Sequence, residues 1–237
     1  MSSADRRARE RQEVRDKILN AARDLFATQG FEAVTLRKVA EAIEYAPAAI
    51  YGHFKDKEEL VRTLCLADFD ELVRNIIPLA EIGDPIERIR RLGHAYVRFA
   101  ITHPNHYRLM FMYRAQLEPD EDALARKDDP HRDGYAFVRH AATQAIAEGR
   151  IREPWCDAEL LAQTFWAGVH GVASIEIAFK GDPWIEWRSI EARTESMIGA
   201  LLAGLCEPGG GPKARKKPMA RRGAVKARSA TSKGARR

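Results

Sequence analysis

Apolar side chains recur every three or four residues along most of this chain, and that spacing leaves helices as its building material. Val14, Ile18, Ala22, Leu25 and Phe26 fall on one side of a helix, since 3.6 residues complete a turn. Ile89, Leu92, Tyr96 and Phe99 repeat the pattern between Ile86 and Thr102. Asn105 to Tyr113 reads as a short apolar helix. Longer ones are expected over Gly134–Glu148, Asp157–Phe179 and Ile185–Leu205. Residues 115–133 are polar and are expected to be mostly loop. No stretch alternates polar and apolar residues over the length of a strand. The expected fold class is all-α.

The breaks are most closely spaced near the N-terminus. The first helix stops at TQG, where Gly30 suits the left-handed conformation that ends helices. Thr35 is placed to cap a short helix, LRKVAEAI, with Leu36, Val39, Ala40 and Ile43 inward. Lys38 stands where the reciprocal half of a capping box needs Glu. Four residues, EYAP, interrupt the pattern. Pro47 suits the first turn of a helix, where its missing N–H costs nothing, and AAIYGHF follows. A further helix starts near Asp56 and runs through KEELVRTLCLADFDELVRNI.

Charge divides the chain more sharply than hydropathy does. Residues 1–60 carry eleven basic and eleven acidic side chains, and residues 61–207 carry seventeen and twenty-three. Residues 208–237 carry eleven basic side chains and no acidic one, so this segment alone makes the chain basic. Such an extension, read as a disordered basic tail, is expected to contact nucleic acid. Residues 1–11 form a second basic stretch, expected to act as an arm. It has no apolar core and is not a signal peptide. No apolar run reaches the roughly 18 residues that span a bilayer, so no membrane partner is expected. Cys65, Cys156 and Cys206 are widely spaced and suggest reduced thiols in a cytoplasmic protein. His103 and His106 in THPNH do not read as a metal pair, and no metal or cofactor is expected.

Three short N-terminal helices, the second and third joined by a four-residue turn, describe a helix-turn-helix reader of duplex DNA. Here the chain resembles the TetR family of transcriptional regulators. The resemblance runs through VRDKILNAARDLFATQGFEAVTLRKVAEAI and AAIYGHFKDKEEL and covers about residues 12–72, with its motif at 35–54. Its most specific piece is met by Ile50, Tyr51, His53, Phe54 and Lys57. Trp166, His170 and Gly171 in WAGVHG, with HPNHYRLMF, resemble the subgroup named for a Trp–His–Gly pattern. Two departures stand out. The family usually has Gly in the turn and Ser or Thr at the next cap, and here Glu44 and Ala46 occupy those places.

On this resemblance Ile50 and Phe54, four residues apart, pack inward on the first helix. Tyr51, His53, Lys55 and Lys57 reach phosphates, joined by Thr35, Arg37 and Lys38 at the start of the second helix. Pro47, in the first turn of the reading helix, is a further DNA-binding candidate, and Ala48, Ala49 and Gly52 let that helix come close to the groove floor, where alanine methyls meet thymine methyls. Sequence would then be read by apolar contact, water and DNA shape.

The resemblance also implies a helical ligand-binding and dimerisation domain over about residues 79–207. Tyr96, Phe99, Tyr107, Met110, Phe111, Trp166 and His170 are the candidates for lining an effector pocket. Leu161, Phe165, Val172, Ile175, Met197, Leu201 and Leu205 are the candidates for a two-fold interface, with Gly168, Gly171 and Ala173 allowing close approach. The implied activity is that of a ligand-responsive regulator, expected to be a repressor. It binds a palindromic double-stranded operator as a homodimer and is released by a small-molecule effector. A nucleoid-type architectural protein that uses its basic tail and needs no ligand is the alternative. No Ser–His–Asp spacing, phosphate loop or paired carboxylates point to an enzyme.

Overall fold

The structure is a computed structural model and describes residues 2–112 and 121–207. The basic tail expected beyond residue 207 lies outside the described residues. Ten α-helices make up the described part: α1 (Ser3–Gln29), α2 (Leu36–Ala42), α3 (Pro47–Tyr51), α4 (Lys57–Ile76), α5 (Pro85–Thr102), α6 (Pro104–Met112), α7 (Glu121–Arg126), α8 (Gly134–Ala147), α9 (Ala158–Phe179) and α10 (Ile190–Leu205). A 3-10 turn, Ile77–Glu81, joins α4 to α5.

The first correction lies at the N-terminus. The stretch expected as an arm is helical from Ser3 onward and continuous with the rest of α1. The Ser2 hydroxyl accepts the Asp5 N–H at 3.2 Å, and the Asp5 carboxylate accepts the Ser2 N–H at 2.8 Å. Arg, Ala, Glu and Gln in this stretch are good helix formers, and all are exposed. A search for apolar periodicity sees only helices with a face to bury, and burial in α1 begins at Ile18.

The next breaks fall at the expected places. Gly30 takes φ +79°, and its N–H returns to the Phe26 carbonyl at 3.0 Å. The Thr35 hydroxyl accepts the Lys38 N–H at 3.3 Å and starts α2. Glu44 carries the turn at φ +60°, where the resembling family has glycine. Ala46 enters α3 in an extended conformation without a side-chain cap. α3 is shorter than expected and ends at Tyr51 rather than Phe54. Phe54 nevertheless stays inward, because its N–H still reaches the Ile50 carbonyl at 2.9 Å.

Two cores result. Ile18, Ala22 and Phe26 of α1 pack with Val39 of α2, Ile50, Phe54 and Leu60, Leu64 of α4. The second core gathers α5, α8, α9 and α10 around Leu92, Val97, Ala141, Phe165 and Ile198. α6 is shared between them: Leu109 belongs to the first, and Tyr107 and Met110 belong to the second. A buried ionic joint reinforces that seam. The Asp68 carboxylate is fully buried and pairs with Arg23 of α1 at 2.7 Å, and the His106 Nδ1 of α6 lies 3.1 Å from it. Asn105 of α6 donates to Asp24 of α1 at 3.2 Å. The polar stretch expected as loop contains α7, whose Arg126 pairs with Asp70 of α4.

Candidate nucleic-acid interface

α3 presents one face to solvent because the other is seated. Ile50 is 0% exposed and Phe54 1%, whereas Tyr51 is 60% exposed. Burying the two inward side chains contributes about 1.5–3 kcal/mol each, which a five-residue helix cannot supply from its own backbone. Pro47, Ala48 and Gly52 share the exposed side with Tyr51, and Ala49 is half-buried. Thr35 and Arg37 are exposed at the start of α2, with Arg37 paired to Glu41 at 3.0 Å. Lys55 is exposed as well.

Two lysines depart from expectation. Lys57 does not point outward: its Nζ donates to the Phe31 carbonyl at 2.5 Å and stands 3.9 Å from the Phe31 ring centroid. Its position in the first turn of α4 aims the stem back at the loop after α1. Lys38 is exposed but engaged, donating to the Ala33 carbonyl at 2.7 Å and to Gln29 at 3.2 Å. Two residues that the motif did not single out sit against α3 instead. Arg11 donates to the Gly52 carbonyl at 3.3 Å, and Arg15 donates to the His53 carbonyl at 3.1 Å. Burial, then the charges of Arg11 and Arg15, lower the His53 pKa from its ordinary value.

The residues expected around an effector divide into two sets. Tyr96, Tyr107, Phe111, Trp166 and His170 converge, with ring centroids 5.1–6.3 Å apart for the pairs that join Tyr107 to Phe111, His170 and Tyr96. The Trp166 indole N–H donates to the Tyr96 hydroxyl at 3.3 Å, and the Tyr107 hydroxyl lies 2.8 Å and the Tyr96 hydroxyl 3.1 Å from His170 Nδ1. One imidazole nitrogen offers one in-plane site, so a single hydroxyl can donate to it at a time. The Tyr107 hydroxyl has a second acceptor in the His170 carbonyl at 3.2 Å, which lets all three groups be satisfied together. Burial lowers the His170 pKa and raises those of Tyr96 and Tyr107, so the cluster is held neutral. Phe99 and Met110 are buried core residues, and the Phe99 ring faces His103 and His106 instead. The converging rings pack on one another. Clefts of about 540 and 310 Å³ lie elsewhere, the larger between α1 and α4 beside Arg15, Glu59 and Arg62.

The expected dimer residues also divide. Leu161 and Phe165 are buried inside the protomer, so they cannot meet a partner. α9 is apolar on two sides, and periodicity alone does not say which side turns inward. Gly168 serves an internal approach: a Cβ there would stand 2.6 Å from Met197 Sδ and 3.0 Å from Leu201 Cδ1. Ala173 is core. Val172, Met197, Leu201 and Leu205 are half-buried, and Ile175 is 46% exposed. Around Gly171 a Cβ would meet nothing within 4 Å. Among the described residues no helix is long and apolar enough to cross a membrane, and no group of three or more His, Cys, Asp or Glu side chains could hold a metal ion.

Comparison with known proteins meets this geometry on both halves. Residues 18–64 match the model of bacterial regulatory proteins of the tetR family, and residues 89–206 match a tetracyclin repressor-like C-terminal domain. The HTH-type transcriptional regulator UidR of Escherichia coli (strain K12) is 34% identical over 80 residues, which are 34% of this chain and 38% of UidR. The match thus spans well under half the length of that relative. The HTH-type transcriptional repressor KstR2 of Mycolicibacterium smegmatis is 38% identical over 160 residues, 65% of this chain and 77% of KstR2. Among solved structures, AibR in complex with isovaleryl coenzyme A and operator DNA superposes with a TM-score of 0.66 at 22% identity, covering 79% of this chain and 97% of AibR. Matched across its N-terminal reader and its helical C-terminal half, the chain belongs to the tetR family of bacterial regulatory proteins.

Proposed function

We propose that the chain is a ligand-responsive transcriptional repressor that binds a palindromic duplex operator as a homodimer and is released by a small molecule. The observation that carries this reading is the seating of α3: Ile50 and Phe54 behind it, and Pro47, Ala48 and Tyr51 in front. In this reading Ala48, Ala49 and Gly52 approach the groove floor. Tyr51, His53, Lys55, Thr35 and Arg37 fix the register on phosphates. Lys38 and Lys57 support the loop before α2 rather than the DNA.

The effector site is the cluster of Tyr96, Tyr107, Phe111, Trp166 and His170, opened by movement of the half-exposed Trp166. An apolar wall with neutral hydrogen-bonding handles suits an organic effector with few charges on the inserted part. The pattern of Trp166, His170 and Gly171 supports membership of the C-terminal half in the Trp–His–Gly subgroup. The outward faces of α9 and α10 form the dimer contact. The protein has no catalytic activity and works in the cytoplasm. KstR2 is named a repressor, which supports repression, and AibR was crystallised with both isovaleryl coenzyme A and operator DNA, which supports the pairing of effector and operator.

Selection of bound fragments from genomic DNA by the purified protein tests the reading. One short palindrome is expected, with half-sites one helical turn or a multiple of it apart. Even coverage without a motif would instead make the chain an architectural binder that works through its basic tail.

A further inference from the structure

α3 is five residues long, and its N-cap, Ala46, contributes no side-chain hydrogen bond. So short a helix leaves its last carbonyls without intrahelical partners. Two guanidiniums of α1 take up the carbonyls just beyond it. Arg11 Nη2 donates to the Gly52 oxygen at 3.3 Å, and Arg15 Nη1 donates to the His53 oxygen at 3.1 Å. The two arginines are four residues apart and so share one face of α1. Arg15 also lies over the Phe54 ring, its guanidinium carbon 4.4 Å from the centroid. The same side chain thus holds a backbone carbonyl and covers the residue that seats α3.

We propose that Arg11 and Arg15 are positioning residues: they clamp the C-terminal end of α3 to α1 and set sequence discrimination rather than overall DNA affinity. The proposal rests on the DNA-binding reading above. Attraction to phosphates acts over roughly 8–10 Å at ordinary ionic strength and tolerates a loosely held helix. Contacts to base edges do not, because their donors, acceptors and methyls must meet within hydrogen-bonding or van der Waals distance. A reader built from Ala48, Ala49 and Gly52 has no long side chain to adjust, so its backbone must be in place beforehand. The His53 pKa, lowered first by burial, is lowered further by the two guanidiniums that hold the segment, which fits the same arrangement.

The test uses the full chain and two readouts. In the absence of DNA, amide hydrogen exchange over residues 49–55 is compared between the unaltered protein and Arg15→Met. The clamp predicts exchange at least ten-fold faster in that segment, with the rest of α1 and α4 unchanged. Binding is then measured to the duplex recovered by genomic selection and to a shuffled duplex of equal length, across a salt series. The clamp predicts that the affinity ratio between the two falls ten-fold or more, while affinity for the shuffled duplex changes less than three-fold. Arg11→Met is the second variant and gives the same pattern should Arg15→Met not fold. Arg15→Lys keeps the charge but not the guanidinium plane over Phe54 and restores the protection only in part. Equal losses on both duplexes, with the salt slope smaller by about 0.9 and exchange unchanged, would make Arg15 a plain phosphate contact and overturn the proposal. Full restoration by Arg15→Lys, or faster exchange with an unchanged ratio, would overturn it too. Absence of any preferred duplex for the unaltered protein refutes the DNA reading instead and leaves exchange to decide the clamp.

Discussion

Glu44 holds φ at +60° in the turn between α2 and α3, where a Cβ crowds the backbone and costs about 1–2 kcal/mol. Its side chain is exposed, so replacing it removes little packing. Glu44→Gly relieves the crowding but adds freedom to the unfolded chain, and the first effect is the larger. The expected outcome is a gain of about 1 kcal/mol, read as a melting temperature about 2–4 °C higher. This strain is legible in the amino-acid sequence, because a charged residue stands where the resembling family places glycine. The fate of Lys57 is not. The motif places Lys57 at a phosphate, and only the tertiary approach of the Phe31 carbonyl turns it inward. Histidine chemistry sits between these cases. His170 is legible as a partner of Trp166 on one helical face, but its neutral state follows from burial among Tyr96 and Tyr107. The fold therefore binds fewer protons at this site than the unfolded chain does. Stability contributed by the neutral ring is present above the ordinary histidine pKa near 6.5 and is lost as pH falls below it toward the lowered folded value. Thermal melts at pH 7.5 and 5.5 should show a decrease on acidification that is smaller in His170→Gln.

At the level of elements, the number of helices in the N-terminal reader is readable because each break carries its own chemistry. Gly30 and Pro47 mark boundaries by backbone preference and Thr35 by its capping hydroxyl, whatever the tertiary contacts. The start of α1 carries a cap signal too, but no apolar stripe to draw attention to it. The two-sided character of α9 defeats periodicity for a different reason: both of its faces are apolar, and choosing between them needs knowledge of what α5 and α10 present. Gly93 of α5 shows how tight that choice is. A Cβ at this position would lie 2.6 Å from Ile198 Cδ1 of α10, and 2.8 Å from Phe165 Cζ and 3.2 Å from Val169 Cγ1 of α9. Alanine favours a helix over glycine by about 1 kcal/mol, so propensity alone predicts stabilisation by Gly93→Ala. Three neighbours under 3.4 Å, one of them a phenyl ring, predict the reverse, at about 1–3 kcal/mol for overpacking. We expect net destabilisation of about 1–2 kcal/mol in urea unfolding. A gain in stability would show that α5 can withdraw from α9 and α10.

At the scale of the whole molecule, several of the exposed large apolar side chains among the described residues lie on the outer side of α9 and in the loop that follows it. Leu160, Ile175 and Phe179 are 43%, 46% and 52% exposed, and Trp184 in the following loop is 93% exposed. Between the larger side chains lie Ala167 and Gly171 on α9 and Gly199, Ala200 and Ala203 on α10, all exposed or half-exposed. In the proposed dimer contact, large apolar groups flank small ones over two long helices, a surface suited to a second copy. A two-fold axis brings each outward residue into the contact twice. Burying Ile175 completely contributes about 1.5–3 kcal/mol per protomer, hence about 3–6 kcal/mol per dimer. At about 1.4 kcal/mol per decade, Ile175→Lys should raise the dimer dissociation constant by about 100-fold or more, with two lysines now facing each other. The protomer itself should stay folded, since Ile175 is not in either core. Sedimentation velocity at micromolar concentration should then show monomer where the unaltered protein shows dimer, with an unchanged thermal melt. Operator binding should lose its dependence on half-site spacing, because two readers no longer share one rigid frame. Retention of the dimer by this variant would move the interface away from the C-terminal half of α9.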